Sequence, residues 1–562
     1  MGLEVISNFR NSLLEKVKIR SYASPTLILL AYDWSDGRAR DDLLGFAIER
    51  KPGFYGQARS WLPNRIGFKG PAPGGKDLPS NENPIQKFMW WDARIDEENR
   101  EETFMYTVTP MVGSENDFHL LQDAASSIGV TLPSSVNQGI GSYFNRSVVS
   151  SQAFSRKFGK VTEGNLGTAL TWLANGLEKV IPSFISGSCD CEGAIYHLTD
   201  QRWVIPSFEN RSGGTSLVFN STSKDHTNDP AVKELESNPR IKLVPRSKAA
   251  IMHNKFLVKL SKEEPSALLM GSANFTTEGL TTQANVLHTF QSPELAELYL
   301  TRKRLLAKDL PVAETAKQAV WSKSVTIGKA NIRVFFSPEP SKSRSSIDRI
   351  VSSVKDAKRS VIFCLFSPTD AQLRHAIFDA GDAGKMMFGL INKISPSETS
   401  TKAKQNAEQV AQVEIYHRSQ ENKDVYSHSL YAEEKYPEGF WWEISSLPGD
   451  AAKFPVYIHH KFVVIDAETD APIIYTGSAN MSGNSIHRND ENLLEIRNSP
   501  QLGAVYLAEF FRLYEHYRAR ARWNSWKQGE KTYELQKDGS WAKKAYTAGT
   551  PECKSRVNMA TG

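Results

Sequence analysis

Two histidines in this chain each precede a lysine by two residues and an asparagine by 21. Residues 253–274 read HNKFLVKLSKEEPSALLMGSAN and residues 459–480 read HHKFVVIDAETDAPIIYTGSAN, so His253 to Asn274 and His459 to Asn480 have the same spacing of 21. Each copy supplies an imidazole, an ammonium (Lys255, Lys461), a hydroxyl (Ser272, Ser478) and an amide. Two such sets suit metal-free phosphoryl transfer. One neutral histidine attacks phosphorus and the other, protonated, donates to the leaving oxygen, while lysine and asparagine stabilise charge on the equatorial oxygens. A histidine pKa near 6.5 allows both protonation states at neutral pH. Ser272 and Ser478 are expected to present polar groups to the substrate.

Strands must carry these residues. Residues two apart on an extended chain share a face, so each His-x-Lys pair points one way while FLV and FVVI bury the other side. Gly-Ser-Ala-Asn reads as a second strand's end, where glycine permits close backbone approach. Helices are expected at SPELAELYLTRKRLL (292–306) and SPQLGAVYLAEFFRLY (499–514), each with serine at the N-cap and proline in the first turn. Upstream, CEGAIYHLTD (191–200) and SVIFCLFSPTD (360–370) look like equivalent first strands, each preceded by a segment with helical spacing. The repeat unit is an α/β lobe of about 170–200 residues, larger than a solenoid repeat.

The doubled His-x-Lys…Gly-Ser-x-Asn phrase resembles the HKD signature of the phospholipase D superfamily, and the likeness covers most of the chain. The resemblance implies an α/β fold: two pseudo-symmetric phospholipase D-like lobes, each a mixed sheet flanked by helices. It also implies a phosphodiesterase acting through a phosphohistidine, without metal or cofactor. Both motifs lie in one chain, so no obligate dimer is expected. The expected domains are an N-terminal β-sandwich (1–130), a first lobe (150–325), a second lobe (326–526) and a basic polar tail (527–562). In the superfamily a Glu-Asn after the motif supplies a residue that bonds a catalytic histidine, often from the opposite lobe. Carried over, Glu491 orients His253 and makes it the nucleophile, and His459 serves as acid and then base. Aligning the two helix openings pairs Asn285 with Asn492 and Ala284 with Glu491, which leaves His459 without a carboxylate. Asp466 completes His-x-Lys-x4-Asp in the second copy, whereas the first has Leu260; this residue is structural in the family.

Composition fits a soluble globular protein, with 40% hydrophobic and 23% charged residues. Four cysteines (Cys189, Cys191, Cys364, Cys553) are too few for a disulfide scaffold and lack zinc-site spacing. His459-His460 is not read as a metal site, because adjacent strand residues face opposite ways. No apolar run reaches membrane-spanning length and the first 20 residues show no signal-peptide core, so a cytoplasmic protein is expected. Residues 20–125 hold β-rich runs and a Trp-Trp-Asp phrase that resemble a fibronectin III or immunoglobulin-like sandwich.

Substrate is the least legible feature. Phospholipid is the leading class; Tyr436, Phe440, Trp441 and Trp442 offer either a lip for transient contact at a membrane surface or, the favoured reading, an ordinary buried aromatic cluster. Nucleic acid is the alternative, suggested by the basic stretches 301–308 and 512–523. A net charge of +5 over 562 residues does not decide between them.

Overall fold

The computed structural model describes residues 14–71, 76–95, 99–147, 154, 157–158, 161–394, 407–427, 457–527 and 534–561, apart from the side chains of 71, 520 and 522–527. The aromatic stretch 436–442, Arg520 and Arg522 therefore lie outside what is described. The chain divides into two compact units, one of Met1–Leu132 with Thr532–Gly562 and one of Pro133–Lys531.

In the first unit two antiparallel sheets face one core. Lys18–Ser24, Leu27–Asp33 and Met89–Asp92 form one; Leu43–Lys51 and Thr103–Ser114 are central in the other. Ile28, Leu30 and Tyr32 of the first sheet pack with Phe46, Ile48, Tyr106 and Val108 of the second. The expectation of a polar tail is corrected here. Residues from Thr532 onward belong to this unit, and a helix forms over Pro551–Thr561. The tail's few apolar residues are concentrated where they count. Trp541 stacks on Phe88 with ring centroids 5.3 Å apart, its Nε1 donates to the Leu43 carbonyl at 2.8 Å, and Ala542 and Ala545 join the core.

The second unit is the duplicated α/β domain. Its first lobe contains β1 (Val136–Asn137), β2 (Ile140–Phe144), β3 (Asp190–Ile195), β4 (Thr215–Asn220), β5 (Ile241–Arg246), β6 (Lys255–Ser261), β7 (Glu264–Gly271) and β8 (Val286–Phe290). They form one mixed sheet in the order β1-β2-β8-β7-β6-β3-β4-β5. The second lobe contains β9 (Val325–Ile327), β10 (Ala330–Ser337), β11 (Ser360–Leu365), β12 (Met386–Ile391), β13 (Val425–Ser427), β14 (Lys461–Ile465), β15 (Ile473–Gly477) and β16 (Glu491–Arg497). Their order, β9-β10-β16-β15-β14-β11-β12-β13, repeats the first strand for strand. The expected start of the first lobe at residue 150 is too late, because β2 pairs with β8 from Ile140↔Phe290 to Phe144↔Val286. Central strands such as β11, buried at all six positions, read as continuous apolar runs because helices and the partner lobe cover both faces.

Each lobe closes with a helix, α1 (Pro293–Leu306) and α2 (Pro500–Lys527). The expected Ser292 cap is present, its Oγ accepting from Leu295 N at 3.2 Å. Tyr299 of α1 lies edge-on to Phe256 of its own lobe and to Phe336 of the other, at 4.9 and 5.0 Å. Tyr506 of α2 does the same with Phe462 and Phe144, at 5.0 and 5.2 Å. The lobes therefore meet across equivalent aromatic contacts, as a pseudo-twofold relation requires.

Candidate active site

Each histidine enters its site on a segment hydrogen-bonded to the opposite lobe. His253 N donates to Asp490 O at 2.9 Å and Asp490 N to Ile251 O at 3.0 Å. In the other copy, residues Gln283 and Ala284 pair in parallel with Tyr457 and Ile458, and His459 N donates to Ala284 O at 3.1 Å. The lysine follows at the start of β6 or β14 and turns back. Lys255 Nζ donates to His253 O at 2.5 Å, and Lys461 Nζ to His459 O at 2.7 Å. Both ammonium groups are fully buried, Lys255 lying 4.9 Å from the Tyr196 ring centre and Lys461 5.3 Å from that of Phe366.

Side-chain bonds repeat the exchange between lobes. His253 Nδ1 bonds Glu491 Oε2 at 2.8 Å, and His459 Nδ1 bonds Asn285 Oδ1 at 2.9 Å. Both partners accept, so each neutral imidazole carries its proton on Nδ1 and keeps an Nε2 lone pair. The alignment that left His459 facing Ala284 is thereby corrected. Asn285 is the counterpart of Glu491, because each lies 13 residues after the motif serine (272 to 285, 478 to 491). The chain inserts one residue between β16 and α2, so counting back from the helix openings shifts the pairing by one.

The expected substrate contacts of Ser272 and Ser478 are also corrected. Both are fully buried, and their hydroxyls donate at 2.8 Å to Asn285 Oδ1 and Glu491 Oε2 respectively. They accept from Val286 N and Asn492 N at 3.1 and 2.9 Å. Their hydrogen-bonding capacity is spent holding the two residues that orient the imidazoles. The glycine before each serine permits this approach, since a Cβ at Gly271 would collide with the Val286 carbonyl and one at Gly477 with that of Asn492. Asn274 and Asn480 end the same turns, each with a buried Oδ1 lacking a partner among the described residues. Asp466 caps the start of β11, accepting from Arg359 N and Ser360 N at 2.7 and 3.0 Å. His460 is buried against Phe144 and Phe462.

Aromatic walls at the ends of the equivalent strands β3 and β11 were not singled out in the sequence. Tyr196 meets His253 edge-on at 4.8 Å and Phe366 meets His459 at 5.2 Å.

Burial shapes the charges. It lowers the His253 pKa to about 4 against the opposing pull of Glu491. His459 is held well below the ordinary value by burial and then by Lys461, Lys255 and His253, with no carboxylate among those opposing. Burial also brings Lys461 down to about 7 and Lys255 well below the usual lysine range, with Glu491 resisting both. The Glu491 carboxyl is lowered because His253, Lys255 and Ser478 outweigh the cost of burial. The two lysines and two histidines thus have one carboxylate, Glu491, opposing the loss of their protons, and an anion entering the site would be stabilised.

Residues 350–514 match the family described as cardiolipin synthase, PLD-like domain. That match covers most of the second lobe, whose strand order and His-Lys-Asn set the first lobe repeats. Residues 350–514 thus carry a phospholipase D-like domain. Members of the phospholipase D superfamily are phosphodiesterases and phosphotransferases. No curated protein matches the chain in sequence. Similar solved structures include polyphosphate kinase from Porphyromonas gingivalis, at 10% identity and TM-score 0.36, covering 57% of this chain and 46% of that one. The chain thus spans less than half of that kinase. Phosphatidylserine synthase from Haemophilus influenzae gives 13% identity and TM-score 0.41, covering 61% of this chain and 85% of that one. A variant of yeast tyrosyl-DNA phosphodiesterase gives 11% identity and TM-score 0.34, with 65% and 91% covered. For this phospholipase D-like chain, no helix among the described residues is long and apolar enough to cross a membrane.

Proposed function

We propose that this chain is a metal-independent phosphodiesterase that works through a phosphohistidine on His253, with phospholipid as its substrate. The carrying observation is the pair of imidazoles whose Nδ1 atoms are held by Glu491 and Asn285 of opposite lobes, leaving two Nε2 atoms for chemistry. His253 Nε2 attacks phosphorus and the bond to the leaving alkoxide breaks; His459, protonated on Nε2 once the bound phosphate's charge raises its pKa, supplies that oxygen's proton. Neutral His459 then takes a proton from water, whose oxygen attacks phosphorus and breaks the P–N bond. An alcohol in place of water gives transfer. Glu491 favours His253 as the nucleophile, because attack leaves positive charge on the imidazole and, among the described residues, a carboxylate lies beside His253 and none beside His459. The Lys255 and Lys461 ammonium groups offset the phosphate's charge, and Asn274 and Asn480 offer amides to its oxygens.

Lipid is favoured over nucleic acid because several of the basic residues that suggested a polyanion groove are paired internally. Arg302 and Lys303 are buried on Asp490 and Glu192, and Arg518 pairs with Glu515. The test is a panel assay in millimolar EDTA with phosphatidylcholine vesicles and single- and double-stranded DNA and RNA. Phosphatidic acid should form from the vesicles. Intact vesicles together with salt-sensitive cleavage of nucleic acid would move the assignment to a nuclease. Loss in EDTA with recovery on adding Mg²⁺ would refute the metal-free chemistry.

A further inference from the structure

Asp490 stands between two lobes and carries more charge contacts than its place in the backbone requires. Its side chain is fully buried and lies between Arg246 of β5 and Arg302 of α1, both from the first lobe. Arg246 Nε donates to Asp490 Oδ2 at 2.8 Å, and Arg302 Nη2 to Oδ1 at 3.3 Å. Arg246 is anchored further by Asp309 at 3.1 Å, and Arg302 Nη2 by the Ser337 carbonyl at 2.5 Å. On its main chain the same Asp490 is bonded on both sides of Met252, through Ile251 O and His253 N. Its next residue, Glu491, holds the His253 ring.

The other copy supplies an internal control. The position equivalent to Asp490 is Ala284, one residue before Asn285, and it makes the same main-chain bond to His459 with no charged side chain. The fold therefore builds this junction without an ion triad. Buried ion pairs also contribute little net stability relative to apolar packing of the same volume, so stability does not account for the cluster.

We infer that Asp490, clamped by Arg246 and Arg302, is a positioning residue that fixes Glu491 on the His253 ring and thereby sets the nucleophile apart from its partner. Two main-chain bonds hold Asp490 against Ile251 and His253, and the arginine fork prevents the segment from rotating about them. Glu491 then keeps its short bond to Nδ1 while the ring remains exposed to the fields of Lys255, Lys461 and the Tyr196 edge. Supporting groups of this kind tune a reacting imidazole without touching substrate. The inference rests on the reading of His253 as nucleophile, and one of its readouts is independent of activity.

The experiment compares Asp490→Asn, Glu491→Gln and the double variant in the full chain. The Nδ1–H signal of His253 is followed by NMR of histidine-labelled protein, and kcat/KM is followed on a phosphodiester. Asp490→Asn should abolish the low-field Nδ1–H signal and lower kcat/KM by about 10- to 100-fold, as loss of a supporting partner does. Adding it to Glu491→Gln should cost nothing further, because Asp490 acts through Glu491. An unchanged signal, or losses that multiply, would overturn the inference. Should Asp490→Asn fail to fold with two uncompensated arginines, Arg302→Met, which removes one arm of the fork and leaves the Arg246–Asp490 pair, is read in the same way. Wild-type protein that shows the signal but cleaves no phosphodiester would sink the functional reading while leaving the NMR comparison to decide this one.

Discussion

Asn285 Oδ1 accepts from His459 Nδ1 at 2.9 Å, and the Asn285 amide nitrogen is held by the Gly279 carbonyl at 2.8 Å. The amide cannot turn over without losing both bonds, so the neutral tautomer of His459 is fixed. Its counterpart in the other copy is a carboxylate. One side-chain oxygen of similar position is therefore neutral beside His459 and charged beside His253, and this difference separates two otherwise equivalent imidazoles.

Asn285→Asp should give His459 the carboxylate that His253 already has. An opposite charge at this range raises a histidine pKa by about 1–3 units. His459 must carry a proton in the first step, and a higher pKa keeps it protonated to higher pH. The alkaline limb of the kcat/KM profile should therefore move upward. A limb that stays in place would mean that His459 is not the acid.

His253→Ala should remove turnover and every covalent intermediate, because no other group is placed to attack phosphorus from that lobe. His459→Ala should also lose steady turnover on natural substrates. With a nitrophenyl ester, whose leaving group needs no proton, it should still form phosphohistidine in a burst that then stalls. Acid-labile label appearing on His459 in wild-type protein, and never on His253, would invert the roles.

Much of this was legible because the duplication is written at fixed spacing. His253, Lys255, His459 and Lys461 follow from two copies compared with each other, and Glu491 from the family resemblance. Asn285 escaped because the comparison ran backward from the helices, across a single inserted residue at the end of β16. Counting forward from Ser272 and Ser478 finds it. Arg246 and Asp490 lie 244 residues apart, and no local pattern records a pairing of that kind. Tyr196 and Phe366 look like any strand-end aromatic until the strands are superposed. The tail was misjudged on average polarity, although Trp541, Ala542 and Ala545 pack on the N-terminal core.

Anion binding should draw protons into the site near neutral pH. Burial lowers the Lys461 pKa to about 7, so part of its population is neutral in the empty protein. A bound anion stabilises the ammonium and raises that pKa. Calorimetry with tungstate at pH 7.5 (roughly half a unit above that value) should therefore show heats that depend on buffer ionisation in the direction of proton uptake, and Lys461→Met should reduce the effect. Heats independent of buffer would show that Lys461 is already charged.

Acid should destabilise the second unit through its buried histidines, and His288 offers a test away from the chemistry. His288 is fully buried, with Nε2 bonded to Tyr506 OH at 2.7 Å and Nδ1 to the Gly141 carbonyl at 3.0 Å. Burial lowers its pKa to about 4, although the Gly141 carbonyl opposes the shift. An unfolded histidine takes up its proton near 6.5. Between these values the unfolded chain binds the proton and the folded chain does not, so stability is complete above about 6.5 and falls as pH drops toward 4. The slope is about 1.4 kcal/mol per pH unit for each such proton, on the order of 3 kcal/mol over the whole window. His288→Gln keeps an amide to face Gly141 and an acceptor for Tyr506 but cannot titrate. Urea unfolding at pH 7, 6 and 5, followed by fluorescence, should show a shallower acid dependence in this variant, by up to one proton's share. Equal slopes in the two proteins would remove His288 from the account and leave the effect to His253, His459 and His460.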